Sequence, residues 1–177
     1  NAVRLHKPFG PGWEGIGDEQ DGTKLTAKGL AQMDYFLAKL KENGVYYGLS
    51  HTYGYRIRPG NRDRYLAYDE IQTGLGGNTY GLINFAEDAQ DLMIEMVVYA
   101  LKHKNPYTGQ TWAEDPALAY IELQNEDDIF FYTTDNALAK CPTYKKDLMR
   151  RFAEWLKAKY GTQESLAKAW RGALSTS

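Results

Sequence analysis

The chain holds a single cysteine, Cys141, among 177 residues, so it cannot form an internal disulfide, and the residue says little about redox compartment. No apolar run approaches the roughly 20 residues that a bilayer-spanning helix needs, and the greasiest region, 92–101, is broken by Glu95. Charge of one sign is lacking as well. The 21 basic and 23 acidic side chains leave a net charge of −2, which offers nothing to a nucleic-acid backbone. There is no repeat and no low-complexity segment. Neither an initiator Met nor a basic-then-apolar leader precedes Ala2-Val3-Arg4-Leu5-His6, so the start reads as cut. His6 and His51 have no close-spaced partner of ligand type, so no metal is expected, and no cofactor either.

What is present is organised around Leu118-Ala119-Tyr120-Ile121-Glu122-Leu123-Gln124-Asn125-Glu126. Read with period two, Leu118, Tyr120, Glu122, Gln124 and Glu126 share one face, and Ala119, Ile121, Leu123 and Asn125 the other. A strand whose inward residues turn to carboxyl and amide groups is a poor core strand unless its polar side lines a site. Residues 2–6 repeat the pattern, with Val3 and Leu5 on one side and Arg4 and His6 on the other. Residues 45–50 read as another strand, ending at His51.

Helices separate these strands. Thr26 can cap a helix with Leu30, Met33, Phe36, Leu37 and Leu40 at helical spacing, stopped by Asn43-Gly44. Asn84 with Glu87 suggests a capping box opening a helix with Leu92, Met93, Met96, Val97, Ala100 and Leu101 inward, and His103 in its last turn. Thr143 opens a helix with Leu148, Phe152, Trp155 and Leu156 inward and Gly161 as its stop, and Thr162 opens a shorter one. Between these lie two stretches that read as loop. One is 52–81, where Gly74, Gly76, Gly77 and Gly81 argue against any regular element; the other is 127–140, with Ile129, Phe130, Phe131 and Tyr132 in a row.

Strand, helix, strand, helix, strand, helix implies an α/β fold with right-handed crossovers and a parallel sheet under outer helices. His6, His51, Asn125 and Glu126 all fall at or just past a strand's carboxyl end. That is where sites form in a parallel barrel, and in an open doubly wound sheet too. The inward charges of Arg4 and Glu122, and the lack of a glycine-rich phosphate loop after the first strand, favour the barrel.

Ile121-Glu122-Leu123-Gln124-Asn125-Glu126 resembles the fourth-strand signature of the clan A glycoside hydrolases, retaining enzymes built on a (β/α)8 barrel. Residues 2–6 resemble that group's second strand, Gly48-Leu49-Ser50-His51 its third, and 152–166 the segment after strand four in β-galactosidase-like and family 5-like members. The resemblance implies that residues 1–177 are a single partial catalytic domain. Strand one and strands five to eight would lie elsewhere, since a full barrel takes about 250 residues.

It also implies roles. Glu126 would be the general acid/base, and Asn125 would bond the sugar's 2-hydroxyl. Arg4 would orient the nucleophile, and His51 and His6 would contact the sugar ahead of the scissile bond. Trp13, Tyr53, Tyr55, Phe130 and Phe131 would offer flat faces to sugar rings. The nucleophile, which the family supplies from the seventh strand, would lie outside the chain, and the partners would be a carbohydrate substrate and a complementary barrel segment or a second copy. Each reading has a plain counterpart. An Asn-Glu pair can be a solvated turn, Arg4 can simply pair with Glu122, and the histidines can be core residues. A non-catalytic sugar-binding barrel and an interaction scaffold are the competing classes.

Overall fold

A computed structural model describes residues 1–9, 16–50 and 55–171, and everything structural below refers to them. Its sheet has three parallel strands in sequential order: β1 (Ala2–His6), β2 (Tyr46–Ser50) and β3 (Leu118–Glu122). The ladder runs Ala2 opposite Tyr46 through His6 opposite Ser50, and the Lys7 amide extends it to the Ser50 carbonyl at 2.9 Å. Between β2 and β3 the register shifts once. Tyr47 faces Leu118 but Gly48 faces Tyr120, so Ala119 is the extra residue of a bulge. The bulge brings Tyr120 and Glu122 onto the same face as Arg4, Gly48 and Ser50.

The other face is the apolar one. Leu5, Tyr47 and Leu49 pack with Met33 and Leu37 of α1 (Ala27–Glu42), with Ala100 of α3 (Glu87–Lys102), and with Trp112. Helix α1 begins where the sequence indicates: the Thr26 hydroxyl accepts from the Gly29 amide at 2.9 Å. It ends at Asn43, followed by Gly44 at φ +67°. Phe36, expected in its buried stripe, is instead 38% exposed. A buried carboxylate ties the layer together. Asp34 of α1 accepts from Trp112 Nε1 at 2.8 Å and meets His103 Nε2 at 2.7 Å, while the Asn105 amide donates to the Asp34 carbonyl at 2.9 Å. His103 is thus held by a structural partner just past the end of α3, as its place in the sequence suggests.

A second core forms where a loop is expected. Within 55–81 lie a 3₁₀ turn at Pro59–Arg64 and α2 (Tyr68–Gly74). The glycines do not prevent this, because they fall at the end of α2 and beyond it. Gly74 is needed for contact: a Cβ there would lie 2.9 Å from the Lys140 carbonyl. Tyr55, Ile57, Ile71, Leu82, Phe85 and Tyr144 are buried together in this second core.

Four further expectations are corrected. Asn84 is not a capping box residue, since it lies in a 3₁₀ turn and α3 starts after Ala86 without a side-chain cap. The 127–140 stretch contains α4 (Tyr132–Lys140), and α5 (Pro142–Tyr160) begins before Thr143, which instead bonds Glu70. Phe152 and Trp155 of α5 do not face inward: they are 48% and 50% exposed and stack on each other, 5.9 Å between ring centres. Gly161 at φ +73° closes α5, and the Thr162 hydroxyl caps α6 (Gln163–Ala169).

Candidate functional site

The polar face of the sheet carries one connected cluster. Arg4 Nη2 donates to Ser50 Oγ at 3.0 Å, to Glu122 Oε2 at 2.6 Å, and to Asn125 Oδ1. Ser50 Oγ also bonds Glu122 Oε2, and His6 Nδ1 lies 3.0 Å from Ser50 Oγ. His6, Ser50 and Glu122 occupy one rung across the three strands, the last rung before the carboxyl ends. The parallel register is therefore what assembles the cluster.

The charges of the cluster constrain its hydrogen bonds, with the two Nη2 hydrogens of Arg4 shared among three acceptors. Hydrogen bonds from Arg4 and Ser50, with the positive charge of Arg4, hold the Glu122 carboxyl below its ordinary value. An ionised Glu122 only accepts, so the single Ser50 hydrogen goes to it. Ser50 then accepts from Arg4, and its contact with His6 is a hydrogen bond when the imidazole carries its hydrogen on Nδ1.

Strand β3 stops at Glu122, not at Glu126. Period two therefore fails beyond it, and Asn125, assigned by alternation to the apolar face, turns instead toward Arg4 and is 8% exposed. Glu126 follows at φ +52°, a left-handed conformation uncommon for a non-glycine residue. Its side chain is exposed, while both neighbours are buried. Asp127, at 1% exposure, accepts from the Gly81 amide at 2.9 Å and from the Thr133 hydroxyl, and its carbonyl accepts from Gln124 Nε2 at 2.8 Å. The chain is thus pinned on either side of Glu126, by Arg4 through Asn125 and by Gly81 through Asp127. Such pinning can hold an unfavourable backbone angle that would otherwise relax.

Of the residues singled out from the sequence, Arg4, His6 and Asn125 meet in the cluster, and Glu126 is the next residue in the chain. Phe130 and Phe131 follow in the same connection, 96% and 38% exposed. Tyr55 corrects its expectation. It is 6% exposed, and its hydroxyl bonds Tyr65 Oη at 2.9 Å and the Ala89 carbonyl at 3.0 Å, so its ring packs the second core and is not an open platform for a sugar ring. Trp13, His51 and Tyr53 lie outside the described residues. Ser50 and Asp127 were not singled out as site residues. The signal for Ser50 was there, because it ends β2 in line with His6; nothing in the sequence marks Asp127 as the buried member of Glu126-Asp127-Asp128.

Among the described residues no group of three or more His, Cys, Asp or Glu is placed to hold a metal ion. No helix among them is long and apolar enough to cross a membrane. Comparison with protein-family models, with curated proteins and with solved structures returns no match.

Proposed function

We propose that this chain is part of a retaining glycoside hydrolase of (β/α)8 architecture, acting on a β-linked polysaccharide or oligosaccharide, with Glu126 as its general acid/base. The supporting observation is the Arg4–Ser50–Glu122–Asn125 cluster on the uncovered face of a parallel sheet, at the strands' carboxyl ends, with Glu126 next in the chain. In the barrel reading the uncovered face is the interior. Further strands pair with the outer edges of β1 and β3, which have no strand partner among the described residues.

The chemistry follows from the leaving group. A glycosidic oxygen departs poorly unless protonated, so Glu126 gives it a proton and later takes one from water. Asn125, with its oxygen taken by Arg4, has its amide NH₂ free to donate to a sugar hydroxyl, a bond that tightens as the ring flattens toward the oxocarbenium-like state. Retaining hydrolysis needs a second carboxylate about 5–5.5 Å from the first. In this reading Glu122 serves as the partner of Arg4 and Ser50, and a further strand of the barrel supplies the nucleophile.

The test is an assay of the purified chain and of a longer polypeptide that completes the barrel, against aryl glycosides and polysaccharides. The longer protein turns over and loses activity on Glu126→Gln, while the 177-residue chain alone hydrolyses nothing. Turnover by the chain alone, abolished by Glu126→Gln, would overturn this division of labour. A non-catalytic sugar-binding barrel is the second reading, favoured by Phe130 at 96% exposure. It expects saccharide binding by the longer protein with no hydrolysis at all.

A further inference from the structure

The connections that follow β1 and β2, with Met96 of α3, enclose a recess of about 30 Å³. Its walls include Phe9 and Tyr55, and its polar lining includes Lys24, Arg56, Arg58 and Asp18. Three cations face one carboxylate. Asp18 is committed to its own loop, where Oδ1 accepts from the Gln20 amide at 2.7 Å and from the Asp21 amide at 2.8 Å.

Two of these cations, Arg56 and Arg58, are unpaired among the described residues. Arg62 and Arg64, further along the same segment, pair with Asp69 and, at 2.7 Å, with Glu95. Lys24 instead rests over the Tyr99 ring at 4.5 Å, and its charge acts on the Asp21 and Glu95 carboxylates. Arg58 and Lys24 are also partly buried. A cation withdrawn from water without a counter-charge is unfavourable, and an anion supplied by a ligand would relieve it. The backbone at Gly22 and Gly17 borders the Arg58 side chain, with room for a Cβ at ordinary contact distances of 3.4 Å and 3.9 Å.

Size decides what fits. A water needs about 10–15 Å³ measured this way, so the recess takes a group of roughly two waters, the charged end of a substituent and not a sugar ring. We infer that the recess is a subsite for an anionic substituent, a carboxylate or a sulfate, on the carbohydrate bound along the strand ends. The inference rests on the glycosidase reading and narrows its substrate to an acidic polysaccharide. Arg58 provides a fork for two acceptor oxygens, with Lys24 and Arg56 as further positive charges.

The experiment is calorimetric titration of the 177-residue chain with four oligosaccharides: an oligouronide, its carboxyl-reduced counterpart, a sulfated galactan oligosaccharide and its desulfated counterpart. One charged probe binds roughly ten- to hundredfold more tightly than its neutral counterpart, the range expected for charge-assisted hydrogen bonds. Arg58→Ala erases that difference, Arg58→Lys keeps part of it, and added salt weakens it. The pair that shows the difference identifies the substituent. Equal binding of charged and neutral probes, no binding of any probe, or an undiminished preference in Arg58→Ala would overturn the subsite. Failure here is separable from failure of the hydrolase reading, because that reading stands or falls on Glu126-dependent turnover, whatever charge the substrate carries.

Discussion

Arg4 and Glu122 meet across the central strand, Nη2 to Oε2 at 2.6 Å, with Ser50 of β2 bonded to both. Three strands that need loops and helices to reach one another in sequence are thereby tied at one rung. The tie is open to water, with Arg4 and Glu122 side chains 42% and 34% exposed, so its contribution to stability is small and screened by salt. Its effect on protonation is the more readable property.

Stability near the carboxylate range follows from that. The folded-state pKa of Glu122 is depressed, so its contribution is present above the unfolded-state value and is lost as pH falls through the folded one. Thermal melts between about pH 6 and pH 3 therefore show wild type losing more of its stability than Glu122→Gln. Asp21, Glu95, Glu114 and Asp147, also depressed, titrate in both proteins and cancel in the difference. Parallel curves would mean that the Arg4 contact does not persist in solution.

Gly48 is the tightest backbone approach on the polar face. A Cβ built there would lie 2.2 Å from Tyr120 Cζ, so the ring lies flat over the central strand because that strand has no side chain at this point. Gly48→Ala destabilises by about 1–3 kcal/mol in urea unfolding, and Tyr120→Ala in the same chain recovers most of the loss. No recovery would place the strain in the backbone of β2 instead.

Asp127 holds the loop that carries Glu126. Asp127→Ala strands the buried Gly81 amide without an acceptor and lowers stability by about 1–3 kcal/mol, while Asp127→Asn, which keeps one carbonyl oxygen, costs less. Native-state hydrogen exchange of the Gly81 amide is the direct check. An unchanged exchange rate in Asp127→Ala would show that the contact is not holding the loop.

Asp34 is the corresponding anchor of the first core, at 2% exposure with Trp112 and His103 as its partners. Asp34→Ala leaves both partners without an acceptor and costs about 1–3 kcal/mol, read as a fall in the urea midpoint at unchanged slope. A loss under about 1 kcal/mol would mean that water replaces the carboxylate there.

The sheet was legible in the sequence because alternation and crossover lengths are local signals. Val3 and Leu5 against Arg4 and His6 gave the faces of β1 correctly, and the pairing of Arg4 with Glu122, one rung apart, was foreseeable from the inward charges. What escaped has a common cause: contacts made elsewhere decide it. Period two misassigned Asn125, because the strand stops at Glu122 and the turn that follows is set by Arg4 and Gly81. Glycines suggested a loop without regular elements in 52–81, yet Ile71 at 0% exposure anchors α2 in a core built from sequence-distant residues. Helical spacing on α5 marked Phe152 and Trp155 as apolar without saying whether anything covers them. Tyr55 reads from sequence as one more loop aromatic, and only the Tyr65 and Ala89 partners make it core.

The central claim is that Glu126 protonates a departing sugar oxygen, and leaving-group dependence isolates that step. In the longer, barrel-completing protein, Glu126→Gln is to be compared with wild type on two aryl glycosides, one with a weakly acidic phenol and one with a strongly acidic phenol that departs unprotonated. An acid at position 126 predicts a loss in kcat/KM of roughly 10²–10⁴-fold on the first substrate and a far smaller loss in glycosyl-enzyme formation on the second, with external azide restoring turnover there. Equal losses on both substrates, or none on either, would contradict it.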